Sequence, residues 1–440
     1  MNKILISVLA ALLSTIFCLA QRSECSTYLK KHVQRIDLEA PEFQFDDAFY
    51  QHQLYFFGFV HGSQKPQLID LKLLQHLSRH GVRYYAPEVD FSLAFFFNSY
   101  LESGDEQTLD YACHYYKYRV PQDASVQFRD KWKKLYAFNQ GLPSDERIKV
   151  LGMDQHIDPE LSLTHLAYIA PTQCEIAIID SLQHFKNFQR DTLEVYSGKP
   201  AFKSGKGWDY FFSTEKSRFY HRFVKAYTRD SLIFIKAFGK EANQLRHLMS
   251  QNTNGYRDSI LLTNFKKLAL PLIQQGEKVY ANFGYFHVQQ QKINKLPPLA
   301  QLVKENTSVS CVSLLGLLSQ SACMVRKIRP DGPLMIKGVR FRKAKYAGYR
   351  SLNTYDGDHL FERVNGMGIL RKNSRGKDLT LFPLNGEDSP FRKTMFFADF
   401  SRGGRKWKVH KGAVTTDYFQ YVFLIKNSRA NIPIEEIYSR

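Results

Sequence analysis

The chain has 440 residues, 44% of them AVILMFWYC, and a formal net charge of +19. That apolar fraction is too high for a disordered chain and enough for a large core. The basic balance points to acidic partners such as lipid headgroups or anionic glycans, although a solvated basic face is its simplest reading.

Residues 1–20 read as an export segment. Lys3 supplies the positive start, Ile4 to Leu19 the apolar run, and Cys18-Leu19-Ala20 before Gln21 the cleavage site. A retained N-terminal anchor is the alternative. The expected product is exported, periplasmic or secreted, and forms one domain over 21–440. No later run approaches the ~20 apolar residues of a membrane span, so no transmembrane segment is expected after cleavage. Export also disfavours nucleic acid as the partner. Cys25, Cys113, Cys174, Cys311 and Cys323 remain, with no CxxC pair, so neither a zinc ribbon nor a dense disulfide framework is expected.

Residues 21–50 are polar and mixed, and read as a lead-in. Leu54 to Val60 is a short apolar run followed by His61-Gly62-Ser63, the pattern of a buried parallel strand. A helix follows from Pro66 to a stop at Gly81. Val82 to Glu88 reads as the second strand. Helices are expected over Phe91–Leu101, with Asp90 as N-cap, and over Thr108–Val120 and Ala124–Asn139. Arg147 to Asp154 reads as a third strand. The span from about 159 to 250 is helical in pattern, broken by the loop Ser197-Gly-Lys-Pro and Ser204-Gly-Lys-Gly, which lacks P-loop spacing. It reads as a helical insertion that forms a lid and sets the substrate.

A helix from Arg257 to Gln275 leads into a strand, Val279 to His287. Ser308–Leu318, Leu379–Leu384 and Tyr418–Ile425 read as further strands, with basic loops at Arg371–Lys377 and Arg402–Lys411. Strands alternating with helices imply an α/β fold, a mostly parallel central sheet flanked by helices. The last 120 residues carry 24 Lys/Arg against 11 Asp/Glu, a basic C-terminal extension of the sheet that suits an acidic surface or ligand.

In a parallel sheet the strands' carboxyl ends line one edge, where ligands bind. His61, Glu88, Asp154 and His287 stand at such ends. A histidine can take a proton from water near neutral pH, and a carboxylate can orient or charge-balance it. Arg257 can hold a carboxylate or stabilise an oxyanion. Asp154-Gln-His156-Ile-Asp158 has ligand-like types, but a polar loop after a strand is the simpler reading and no metal site is assigned. There is no Gly-x-Ser-x-Gly elbow and no His-Glu-x-x-His helix.

The order of these motifs resembles the erythromycin esterase-like proteins, within the broader group of ChaN-like and TraB/TIKI-like folds. The carrying runs are Phe57-Gly58-Phe-Val-His61-Gly62, Glu88-Val-Asp90, Trp132 with Tyr136-Ala-Phe-Asn139, Gly152-Met-Asp154, Arg257-Asp258 with Asn264, and His287. Phe419 to Ile425 with Ile432-Pro433-Ile434 resembles the family's last strand. The resemblance runs from about residue 50 to the end. It implies a hydrolase in which His61 activates water against an ester of a small-molecule substrate. Glu88 and His287 complete the site, Arg257 supports it, and Asp154 and Asn264 contribute to substrate binding. No cofactor is required by this reading. Where the family has a Glu three residues before the first His, this chain has Gly58. Two alternatives follow from the wider group, a catalytically silent or haem-binding protein and a peptidase dependent on a divalent metal.

Overall fold

The computed structural model describes residues 20–186, 215–250, 255–326, 362–397 and 408–438, with short strand segments between the last three stretches. The apolar leader up to Leu19 and the loop around Ser197 and Ser204 lie outside these residues.

The protein is α/β, as expected. Its main sheet has eight strands: β1 (Gln34–Ile36), β2 (Leu54–Phe59), β3 (Val82–Ala86), β4 (Lys149–Val150), β5 (Lys278–Gly284), β6 (Cys311–Ser319), β7 (Leu379–Pro383) and β8 (Tyr421–Lys426). Their order is β1-β7-β8-β6-β2-β5-β3-β4. The chain divides into two compact units. The first comprises Met1–His76, Phe283–Cys323 and Leu352–Ala430, and the second Leu77–Asn282, Met324–Ser351 and Asn431–Arg440.

In the first unit β6 lies between β2 and β8 and runs parallel to both, with Phe57 opposite Leu314 and Phe423 opposite Gly316. All six residues of β2 and of β8 are buried. Strands covered on both faces need continuous apolar runs, which is why they read so clearly in the sequence. β7 pairs antiparallel with β8, and β1 antiparallel with β7. The lead-in of residues 21–50 is more ordered than its polarity implies. A helix spans residues 20–32 and buries Cys25, Tyr28 and Leu29, and the edge strand β1 follows. The expected basic loop at Arg371–Lys377 is also corrected. Met367–Ser374 is a helix that buries Met367 and Leu370 one turn apart. Its basic residues, Arg371 and Lys372, stand in the last turn, where cations complement the helix dipole.

In the second unit β3 pairs in parallel with both β4 and β5. Four helix starts carry a side-chain cap, from Asp90, Asp105, Ser125 and Asp158. Each carboxylate or hydroxyl accepts from backbone N–H groups that the helix itself leaves without a partner. Trp132 is fully buried and stacks on Phe97 with ring centroids 3.8 Å apart. The expected strand over 147–154 is a ladder only at Lys149–Val150. Beyond it the chain presses onto the start of the helix Phe91–Ser103: a Cβ on Gly152 would lie 2.2 Å from the Asp90 carbonyl oxygen. Only glycine permits that approach. The described residues of the expected insertion form helices at Pro159–Ile169, Ala177–Asp180, Glu215–Phe238 and Ala242–Met249. They share a core of Leu163, Leu166, Phe223, Phe234 and Leu245.

Candidate functional site

In the second unit Asp154 is wholly buried and held by two guanidinium groups. Arg119 Nε donates to Asp154 Oδ2 at 2.6 Å, its Nη2 pairs with Oδ1, and its Nη1 donates to the Gln155 carbonyl at 2.7 Å. Arg257 Nε donates to Asp154 Oδ1 at 3.0 Å. Arg257 Nη2 donates to both Asp154 Oδ2 and Glu88 Oε1, the latter at 2.6 Å. Two arginines and two carboxylates thus form a formally neutral quartet. Burial alone would raise the pKa of Asp154, but Arg119 and Arg257 hold it down at about 2. Burial likewise opposes the charge on Arg257, and Asp154 and Glu88 keep that group well above its ordinary value. The arginine stays charged, with about a third of its side chain open to solvent.

The helix that carries Arg257 spans Arg257–Leu268. Asn264 lies two turns further along the same face. Its Nδ2 donates to the carbonyls of Met153 at 3.0 Å and Asp154 at 3.3 Å. The loop that presents Asp154 is therefore tied to the helix that presents Arg257.

Around the quartet are buried polar groups of a different kind. Asp90 Oδ1 caps the helix Phe91–Ser103 by accepting from Leu93 N at 2.9 Å, while its Oδ2 has no hydrogen-bond partner among the described residues. Burial, only partly countered by Arg119, pushes this carboxyl up to about 6. Asp158 caps the helix Pro159–Ile169, and its burial, with Glu160 next to it, raises its pKa well above the usual carboxylate range. His156 Nδ1 meets Ser162 Oγ at 3.0 Å. Burial and the Arg119 charge bring its pKa down to about 4, so the imidazole is neutral. The Asp-x-His-x-Asp run is thus used up locally, by the arginine pair, the serine and the helix cap. Among the described residues no group of three or more His, Cys, Asp or Glu is arranged to hold a metal ion, and all five cysteines in them are free thiols.

The two histidines belong to the first unit. His61 is half-buried, two residues beyond β2, with its ring edge-on to Phe59 at 5.9 Å. His287 is not on a strand, which corrects the expectation. β5 stops at Gly284 and His287 stands in the turn that follows, its N–H donating to the Gly284 carbonyl at 2.9 Å and its carbonyl accepting from Ala300 N at 3.0 Å. Tyr285 N donates to the Phe59 carbonyl at 3.2 Å. That bond lies two residues before each histidine, so the segments carrying them leave the sheet side by side. Gly58, on β2, has no room for a side chain: a Cβ there would lie 2.3 Å from Val288 Cγ2 and 2.8 Å from Tyr285 Cα. The turn carrying His287 packs where the extra carboxylate of the resembled motif would begin.

The structure therefore brings Glu88, Asp154, Arg257 and Asn264 together within one unit and sets His61 and His287 on adjacent segments of the other. Sequence reading missed Arg119. As a cation in the last turn of the helix Glu106–Arg119 it reads as an ordinary dipole partner, and nothing local marks its long reach to Asp154.

No protein-family model and no curated protein matches the chain. Solved structures do. A protein from Bacillus cereus superposes with a TM-score of 0.58 at 12% identity, covering 93% of this chain and 98% of its own. A protein described as a succinoglycan biosynthesis protein gives a TM-score of 0.55 at 14% identity, covering 94% and 98%. A histidine-to-asparagine variant of the erythromycin esterase EreC, in its open conformation, gives 0.53 at 10% identity, covering 91% and 98%. At such identities the likeness establishes a shared fold. The chain has the erythromycin esterase-like fold over nearly its whole length, the fold that its motif order implies.

Proposed function

We propose that the protein is an exported hydrolase that uses water to cleave an ester-type bond in a small molecule. The observation that carries the reading is the Arg257 guanidinium, fixed by Glu88 and Asp154 in a fold shared with an erythromycin esterase. A guanidinium whose rotamer is already locked stabilises a developing oxyanion without reorganising, which is where electrostatic catalysis is strongest. His61 is the general base that takes a proton from water. The motif order gives Glu88 and His287 supporting roles in the same reaction. Asp154 and Asn264 serve substrate binding through Arg257, the member of this group whose side chain is partly open.

The test is hydrolysis of a panel of simple esters and lactones by the wild type, His61→Ala and Arg257→Met, with circular dichroism to confirm that each is folded. General-base catalysis contributes roughly 10²–10⁴-fold, so His61→Ala should lose that much in kcat/KM. Arg257→Met should lower kcat more than it raises KM. A folded His61→Ala variant as active as the wild type on a hydrolysed substrate rules out the assigned base.

A further inference from the structure

The helix Glu215–Phe238 is not one rod. Asp230 leaves helical geometry, at φ −127° and ψ 37°. In a straight helix Phe223 and Phe238 would be separated by roughly 22 Å along the axis. Their ring centroids are 6.4 Å apart, and those of Phe223 and Phe234 are 5.2 Å apart. The chain therefore reverses at Asp230 and forms a helical hairpin. Its inner side, with Phe219, Phe223, Phe234 and Phe238, joins the core shared with Leu245 and Leu248.

Its outer side is unlike the rest of the described surface. Leu232 is 80% exposed and Ile233 55%, adjacent to one another and just past the reversal. Large exposed aliphatic pairs cost solubility and mark contact sites when a charged rim surrounds them. Here the rim has one sign. Every exposed charged residue between Arg218 and Arg246 is Lys or Arg, among them Arg222, Lys225, Lys236 and Lys240, and the exposed Glu215 stands at the far end of the helix from the reversal. The two acidic residues in the span are half-buried and engaged. Asp230 accepts from Arg229 at 2.6 Å and Glu241 from Gln244 at 2.6 Å.

From this combination we infer that the hairpin tip is a docking surface for an anionic lipid bilayer, with Leu232 and Ile233 entering the headgroup boundary and the exposed cations of the hairpin meeting lipid phosphates. The chemistry separates this partner from others. A second copy of the chain would bring like charges together, and nucleic acid offers nothing for an exposed Leu–Ile pair. Interfacial binding needs both parts, apolar burial and attraction to acidic headgroups. Leu232 and Ile233 supply the first, and the exposed Lys and Arg residues along the hairpin supply the second, with Lys236 one helical turn from the pair. Docking here goes beyond hydrolysis and does not depend on it.

The experiment is vesicle flotation of the full chain with phosphatidylcholine alone and with phosphatidylcholine mixed with phosphatidylglycerol, at low and at high salt. Neutral vesicles give the baseline that the apolar residues 4–19 contribute. Binding above that baseline is expected on the acidic vesicles, weakening with salt. Leu232→Ser with Ile233→Ser should reduce the gain by roughly tenfold or more, since two aliphatic side chains no longer leave water. Each Lys or Arg changed to Gln among Arg222, Lys225, Lys236 and Lys240 should cost about fivefold. All these positions are exposed, so thermal unfolding should be unchanged. Equal binding to neutral and acidic vesicles overturns the inference, as does a Ser–Ser variant that binds like the wild type. Self-association through Leu232 and Ile233 without acidic-lipid binding overturns it in favour of a second copy, and binding confined to nucleic acid does so in favour of that polymer.

Discussion

Replacing Arg119 by Met removes one of the two guanidiniums on Asp154 and leaves the methylenes in place. The quartet then holds two carboxylates against Arg257 alone. Breaking a buried ion pair from one side costs about 3–5 kcal/mol, because a charge remains in a low-dielectric site without compensation. The lower end, about 3 kcal/mol, is expected, since Arg257 still donates to both carboxylates. The effect is pH-dependent. In the wild type the Asp154 pKa lies at about 2, below its ordinary 3.8. A depressed carboxyl contributes stability that is present above the ordinary value and lost as pH falls through the folded one, here roughly 2 kcal/mol. With Arg119 gone the folded pKa rises, so that contribution shrinks and its loss is complete at a higher pH. Adding Asp154→Asn leaves Arg257 with Glu88, a neutral pair, so the double variant should be more stable than Arg119→Met alone. Urea unfolding followed by circular dichroism, at neutral pH, near pH 4 and near pH 2, measures all of this. A loss below about 1 kcal/mol in Arg119→Met, or a double variant as unstable as the two single losses added, would refute the quartet as an electrostatic unit.

Other consequences are open to the same measurement. Asp90→Asn keeps an N-cap and removes a carboxyl raised by burial to about 6. A raised carboxyl stabilises the fold below its unfolded value and costs stability as pH climbs through the folded one. The variant should therefore gain roughly 2 kcal/mol over wild type at neutral pH and little near pH 4. Gly58→Ala places a methyl against Val288 and the Tyr285 backbone and should cost about 1–3 kcal/mol, with activity falling further if the His287 turn is displaced. Asn264→Leu leaves the buried Met153 and Asp154 carbonyls without this donor. It should cost about 1–3 kcal/mol, so unchanged unfolding would show that the tie is dispensable. In the ester panel, loss of hydrolysis in folded His61→Ala remains the check on the proposed base.

Much of the layout was legible because burial writes itself into composition. β2 and β8 are covered on both faces, so β2 is an unbroken apolar run and β8 is one up to its last residue, Lys426. Asp90 precedes its helix as a cap should, and the protein caps there. The edges were harder to read. β1 and the helix over residues 20–32 lie in a polar stretch, where one buried face of a short element leaves little pattern. The helix Met367–Ser374 was hidden by charge, since its two basic residues, Arg371 and Lys372, look like a loop until their position in the last turn is known.

The sequence by itself determined the α/β class, the order along the chain of the main-sheet strands after β1 and the residue types placed near their ends. Periodicity and strand-end position are local, so they survive in one dimension. The tertiary structure alone decided which of those residues meet. Arg119 reaches Asp154 across 35 residues and Arg257 reaches it across 103. Nothing nearby in sequence signals either bond, because pairing of charges depends on distance in space. It also decided what Gly58 and Gly152 are for. In both cases another segment presses against the backbone at a distance no Cβ permits. The reversal at Asp230 is of the same kind: its residues read only as helical in pattern, and the packing of Phe223 against Phe234 and Phe238 folds them into a hairpin with Leu232 and Ile233 outside.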